Sequence, residues 1–367
     1  MMPFTDRRSG MSLPGLSSVI RYLDVDGTPL TEVPLWAHEM DGLVKAYEWM
    51  MMTRTFDQKA VALQRTGQIG TYPSSLGQEA ICVACGLALE PQDVLVPYYR
   101  DHGAQLVRGY NLHELLLYWG GDERGSSAGP AQDLPVCVPI ATQAGHAVGI
   151  ASAIKIQQQS QVVLCTIGDG GSSKGDFLEA LNLAGVWQLP VVFVINNNQW
   201  AISVPRHLQC GAPTLAQKGV GAGIHSVQVD GNDMIAMLDV MQDALERARQ
   251  RKGPTLIEAI SYRLSDHTTA DDASRYRPDE QLQQAWQAEP VTRMRRFLTQ
   301  QGAWSEGMEQ RWQDHCQTAV SKAVEQYLAY PPQPEEALFD HLYAEWPACL
   351  DTQLDLFAAK QRRRQAQ

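Results

Sequence analysis

The residues best suited to hold a hard cation against a phosphate are Gly168-Asp169-Gly170-Gly171 and Asn196-Asn197-Asn198. One predicted helix (176–187) and one predicted strand (191–195) separate them, with Leu189-Pro190 at the joint. Magnesium takes six oxygens in a near-octahedral array, usually from one or two carboxylates plus phosphate and water. Asp169, the Asn198 amide oxygen, the Trp200 backbone carbonyl and a pair of diphosphate oxygens would nearly complete that set. Gly168, Gly170 and Gly171 let backbone approach a phosphate, and a helix starting near Asp176 adds N–H groups and a positive dipole end. Asp176 and Glu179 suit helix positions better than ligand positions. The same pattern also fits a plain glycine turn with no ligand. Lys174 is not part of a Walker A loop, since no Gly-Lys-Ser/Thr stands at the required spacing, and a nucleotide site loses ground accordingly.

For Asp169 and Asn198 to meet, the strands before them must be neighbours, because open parallel sheets bind ligands beyond the carboxyl ends of their strands. A β-branched run predicts a strand at 162–167, and further strands are predicted at 94–96, 226–229 and 255–260. Helices are predicted at 36–66, ended by Gly67 and Gly70, and at 75–89, ended by Glu90-Pro91. Another is predicted at 232–252, where Met234, Met237, Leu238, Met241 and Leu245 form one stripe. Residues 120–135 read as a loop, and from about 280 the chain reads helical, with Trp286, Met294, Phe297, Leu298 and Trp304 apolar. This alternation predicts an α/β fold: a doubly wound, mostly parallel sheet with helices on both faces and a helical C-terminal extension. The expected divisions are an extended arm over 1–35, an α/β domain over 36–330, and an extension with a basic tail over 331–367, frayed from 355.

Composition removes several function classes. The 367-residue chain carries a net charge of −11, which argues against a nucleic-acid footprint. The basic run Lys360-Gln361-Arg362-Arg363-Arg364 reads as a short solvated tail. Its longest clean apolar runs, such as 191–195, are too short to span a bilayer. Seven cysteines, an odd number, and no signal-peptide apolar region point to a reducing compartment and a cytoplasmic protein. Arg7 and Arg8 hint at a transit peptide, but Pro3, Asp6 and Pro14 spoil an amphipathic helix, so a disordered lead-in is expected. Cys82 and Cys85 have no second pair to complete a zinc site, and core packing is expected.

Gly168-Asp169-Gly170, Asp176-Phe177, Asn182, Leu189-Pro190 and Asn197-Asn198 together resemble the thiamine diphosphate motif. With Pro97 to Gly103 and Tyr262-Arg263 through Arg277, the stretch 36–350 resembles the alpha subunit of the decarboxylating component of 2-oxo acid dehydrogenase complexes. The resemblance implies the thiamine diphosphate-binding fold, with Asp169, Asn198 and the Trp200 carbonyl on magnesium. It implies Gly168, Gly170 and Gly171 at the diphosphate, and Tyr99 and Arg100 at the cofactor, where a guanidinium suits phosphate oxygens. Val138 and Ile140 would line the rings of the cofactor, and Thr142 and Gln143 match a potassium-binding loop. Arg263 and His267 would stand in the loop beyond strand 255–260, His267 next to the reacting carbon. A histidine there suits proton transfer, and its charged form suits an oxyanion. Thr268 matches a position phosphorylated in mitochondrial members.

The implied reaction is oxidative decarboxylation of a 2-oxo acid, with acyl transfer to a lipoyl group on a dihydrolipoyl acyltransferase. The glutamate that activates the cofactor belongs to a beta subunit in this family, and Glu79 does not match it. The chain is therefore expected to be inactive alone and to work in an alpha2-beta2 heterotetramer. Pyruvate is the first expectation for substrate and branched-chain 2-oxo acids such as 3-methyl-2-oxobutanoate the alternative. The chain departs from branched-chain members at Glu123-Arg124-Gly125-Ser126-Ser127 and from some relatives at Asp266. A non-catalytic magnesium–diphosphate binding module is a reading of a different class.

Overall fold

Val191 to Ile195 is an uninterrupted buried apolar run, as expected of a strand covered on both faces of a parallel sheet. A computed structural model describes residues 19–127, 129–340 and 342–365. Its strands are β1 (Val94–Val96), β2 (Val163–Gly168), β3 (Val191–Asn197), β4 (Trp200–Ala201), β5 (Val204–Pro205), β6 (His225–Asp230) and β7 (Thr255–Ile260). Five form one sheet in the order β1-β2-β3-β7-β6, every pairing parallel, and β4 and β5 form an antiparallel hairpin. On one face, Val163, Cys165, Ile167, Phe193 and Ile195 pack against helices Thr142–Ile156 and Gly175–Trp187. Helix Met234–Arg249 packs on β3, β6 and β7 from the other face. Its N-terminus is capped by Asp233, whose carboxylate accepts from the Ile235 and Ala236 amides at 3.1 Å.

The expected α/β architecture is the one observed. Strand β3 runs two residues beyond its predicted end, so Asn196 and Asn197 belong to the sheet and Asn198 follows it. The helix predicted at 75–89 spans Glu79–Ala88 instead, because the Ser75 amide donates to the Asp57 carboxylate at 2.7 Å and holds 75–78 in a turn. Cys82 and Cys85 lie buried in that helix, and burial pushes both thiols up, as core packing requires. Helices His102–Val107, Leu112–Trp119 and Thr142–Ile156 have no counterpart in the sequence reading. The expected loop at 120–135 contains a 3₁₀ turn, Glu123–Ser127. Helices Asp279–Gln287, Pro290–Gln300 and Glu306–Leu328 account for the helical reading beyond 280.

Residues 1–18 of the expected arm lie outside the described residues. Beyond them, Ile20 bridges Val229, and the Tyr22 and Leu23 amides donate to Asp233 at 2.7 Å, so the chain is pinned to the edge strand β6. Two units divide the chain, 1–325 and 326–367. In the second, Phe339 packs with Trp346 and Phe357, and helix Cys349–Gln365 runs through the stretch expected to fray. No helix among the described residues is long and apolar enough to cross a membrane.

Candidate functional site

Gly168 pairs with Asn196 in the β2–β3 register, so Asp169 and Asn198 leave adjacent strand ends into one crevice. The Asp169 amide donates to the Asn196 carbonyl at 3.2 Å, continuing the ladder one residue past β2. Burial pushes the Asp169 carboxyl up to about 6, although Gln209 Nε2 donates to it at 3.0 Å. A desolvated carboxylate of this kind is stabilised in its charged form by a cation. Asn198 Nδ2 donates to Gln78 Oε1 at 3.1 Å, which fixes the amide orientation. Asn198 Oδ1 accepts from the Trp200 amide at 3.2 Å and keeps a second lone pair. No group of three or more His, Cys, Asp or Glu side chains suited to a metal exists among the described residues. One carboxylate, one amide oxygen and nearby backbone match magnesium sharing its shell with a phosphate ligand, not zinc.

A 3₁₀ turn, Gly170–Ser173, follows Asp169. A Cβ on Gly170 would lie 2.7 Å from the Ala201 side chain, and one on Gly171 2.6 Å from Ile167. Both glycines are thus demanded by the protein's own packing, whereas a Cβ on Gly168 would meet only Tyr98 at an ordinary 3.6 Å. The cavity wall ends at Lys174. The 3₁₀ turn therefore faces the ligand space, and helix Gly175–Trp187 reaches it through its N-cap, Lys174.

Asp169, Gly168, Gly170, Gly171, Asn198, Trp200, Tyr99, Arg100, Ile140 and His267 all line one cavity of about 290 Å³. Ile140 is 44 % exposed on its wall, but Val138 is 51 % exposed and does not line it. Arg100 is buried, its Cζ 5.2 Å from the Tyr99 ring centroid. Its guanidinium turns mainly into the protein: Nη1 donates to the Ser74 carbonyl at 2.8 Å, and Nη2 to His267 Nδ1 at 2.9 Å and its carbonyl at 2.6 Å. The expected fork on a diphosphate is thus reduced to Nε and one Nη1 hydrogen. Because His267 Nδ1 accepts, the ring proton sits on Nε2. Burial and the Arg100 and Arg263 charges push His267 down to about 3, so at neutral pH it is an uncharged donor, not the imidazolium considered above. Arg263 does not line the cavity. It holds the loop from behind, donating to the Ile202 carbonyl at 3.0 Å and the Tyr276 hydroxyl at 2.7 Å.

Three wall residues, Tyr98, Cys137 and Ile202, escaped the sequence reading, as did Gln78, which is off the wall but holds Asn198. Gln78 and Gln209 carry no local signal, since each reaches its partner from a distant element. Gln143 lines the cavity, donates Nε2 to the Thr166 carbonyl at 3.0 Å, and leaves its buried Oε1 without a protein partner. Thr142 opens helix Thr142–Ile156 and does not line the cavity. Three non-glycine residues around the site have positive φ: Ala141 at 71°, Gln199 at 72° and Ile202 at 55°.

Residues 47–336 match the family described as "Dehydrogenase E1 component". The chain is 41 % identical over 318 residues to pyruvate dehydrogenase E1 component subunit alpha of Acholeplasma laidlawii, covering 85 % of this chain and 92 % of that one. It is 37 % identical over 356 residues to 3-methyl-2-oxobutanoate dehydrogenase subunit alpha of Mycobacterium tuberculosis (strain ATCC 25618 / H37Rv), covering 96 % and 97 %. Against pyruvate dehydrogenase E1 component subunit alpha of Staphylococcus aureus (strain COL), identity is 35 % over 347 residues, covering 94 % and 93 %. With its parallel sheet, its Asp169–Asn198 crevice and these likenesses, the chain belongs to the dehydrogenase E1 component family as an alpha subunit of a 2-oxo acid dehydrogenase.

Proposed function

We propose that this chain is the alpha subunit of a pyruvate dehydrogenase (acetyl-transferring), oxidatively decarboxylating pyruvate and passing the acetyl group to a lipoylated dihydrolipoyl acyltransferase. The observation that carries the reading is one cavity with Asp169 and Asn198 at one side and the uncharged His267 at another. Thiamine diphosphate, the family's cofactor, supplies the carbon nucleophile and the electron sink when bound. Asp169, Asn198 and the Trp200 carbonyl would hold Mg²⁺ on its diphosphate, with Gly170 and Gly171 in the turn beneath. Tyr99, Arg100 and Ile140 would bound the cofactor, and His267 Nε2–H would donate to an oxygen that gains charge. The orphaned Gln143 Oε1 supports a structural potassium ion, with Thr142 at the same helix start.

A beta subunit completes the active site in this reading. Among the described residues, the only carboxylate lining the cavity is Asp169. Glu79 is buried away from it, paired with Arg54 at 2.8 Å and accepting from the Gly77 amide at 3.0 Å, so it cannot activate the cofactor. We therefore assign an alpha2-beta2 heterotetramer, and a cytoplasmic location in keeping with seven free cysteines. The test is co-expression with a candidate beta chain and assay over a panel of 2-oxo acids. Pyruvate turnover only by the pair is expected, and turnover by the alpha chain alone would overturn the assignment. The Mycobacterium tuberculosis relative favours a second reading, 3-methyl-2-oxobutanoate as substrate. The ratio of kcat/KM values for the two acids decides, and an added methylene is typically worth about 10- to 200-fold. Tight thiamine diphosphate binding with no turnover by any pair would leave a non-catalytic binding module.

A further inference from the structure

The loop that carries His267 is irregular between Ser261 and Asp272, yet its histidine is held in one tautomer. Arg277 holds the loop's start, donating to the Arg263 and Ser265 carbonyls, and the segment 72–77 holds its flank. The Tyr72 amide donates to Thr269 Oγ1 at 3.0 Å, and the Thr269 amide donates back to the Tyr72 carbonyl at 2.9 Å. The Leu264 amide donates to the Leu76 carbonyl at 3.3 Å. Gly77 has φ +87°, and a Cβ there would lie 2.7 Å from the Tyr262 carbonyl oxygen. The Ser74 carbonyl takes one arm of Arg100, whose other arm holds His267.

The segment is shaped in turn by one buried carboxylate. Asp57, in helix Met40–Arg65, accepts from Ser74 Oγ at 2.5 Å, the Ser75 amide at 2.7 Å, Tyr72 Oη at 3.0 Å and Ser75 Oγ at 3.2 Å. It forms no salt bridge with a described residue. The direction of these bonds is fixed from behind. His102 Nε2 accepts from Trp119 Nε1 at 3.0 Å, since an indole can only donate. His102 Nδ1 therefore carries the ring hydrogen and donates to Tyr72 Oη at 3.2 Å, which leaves the tyrosine hydrogen for Asp57.

We infer that Asp57 is a positioning residue: through Tyr72, Ser74 and Ser75 it sets the 72–77 template that places Arg100 and the His267 loop in the cavity. The inference rests on the proposed function only for the role given to His267. Its test is hydrogen–deuterium exchange on the full, ligand-free chain. Asp57→Asn should speed exchange across 263–272 by about ten-fold or more, with β2 and β3 unchanged. The ¹⁵N spectrum of the His267 ring should shift from the Nε2–H tautomer toward a mixture. Phe297→Ala, a cavity mutation in helix Pro290–Gln300, is the control, compared at equal distance from each variant's Tm. It should leave the loop protected. If Asp57→Asn does not fold, Ser74→Ala and Tyr72→Phe each remove one hydroxyl from the carboxylate and should give smaller increases confined to the loop. Unchanged loop exchange in the folded variants, or the same increase in Phe297→Ala, overturns the inference. Such a failure leaves the proposed function standing, whereas absence of turnover by any reconstituted pair sinks the function without touching the exchange result.

Discussion

Asp169 and Asn198 stand at the ends of two hydrogen-bonded parallel strands, whereas His267 stands in a loop with no regular structure. The first wall takes its geometry from a ladder that pairs residue with residue from Val163–Val191 to Gly168–Asn196. The second takes it from a few scattered backbone bonds and mainly from side chains: Arg100, Arg263 and the partners of Asp57. A ladder tolerates loss of any one side chain, but a side-chain network loses its geometry when one member goes. The Asp169–Asn198 end should therefore fail by losing ligand contacts, and the His267 end by losing order.

The largest expected separation between the walls is kinetic. In the reconstituted pair, His267→Ala should lower kcat by about 10²- to 10⁴-fold, the range for a positioned proton donor, while calorimetric affinity for thiamine diphosphate changes less than about ten-fold. A large affinity loss would mean that the loop wall holds the cofactor and not only the reacting group. Next, Asp169→Ala should weaken magnesium-dependent binding by about 100-fold, roughly 2.8 kcal/mol, with the Tm of the ligand-free chain unchanged or raised. Gly170→Ala should cost about 1–3 kcal/mol from overpacking against Ala201, read as a lower Tm without ligand.

The smallest effect is on pH. Asp169 is pushed up to about 6 from 3.8, so the ligand-free folded chain binds more protons than the unfolded one in that window, and this carboxyl's contribution falls as pH rises through it. His267 is pushed down to about 3 from 6.5, so the unfolded chain binds more protons there, and the loop's contribution is lost as pH falls. Hydrogen exchange corrected for intrinsic rates should show 263–272 less protected at pH 5 than at pH 7. The β2 and β3 strands should not follow it, and parallel loss in both walls would merge them into one cooperative unit.

The sheet wall was legible because its signals are local. A β-branched run, a glycine turn and an asparagine run announce strand, turn and strand end within one stretch. On the loop wall only the resemblance pointed to Arg100, Arg263 and His267, and what holds them was not legible, since Asp57 and Ser74 meet the site only through the tertiary fold and look like ordinary polar residues in sequence. Helix Thr142–Ile156 was missed for another reason. Its alanines and glycines carry no amphipathic stripe, yet their small size suits close packing against helix Gly175–Trp187. Val138 shows the reach of positional matching: the correspondence with ring-lining residues places it beside the cavity, while the backbone leaves it outside the wall.

Ile202 lines the cavity with φ at 55°, a conformation costing a β-branched residue about 1–3 kcal/mol. Protein engineering usually trades stability for a wider pocket. At this position both changes run the same way, because glycine or asparagine accepts the left-handed backbone and is smaller than isoleucine. The tip of the β4–β5 hairpin is thus where the cavity can be widened while the scaffold gains stability.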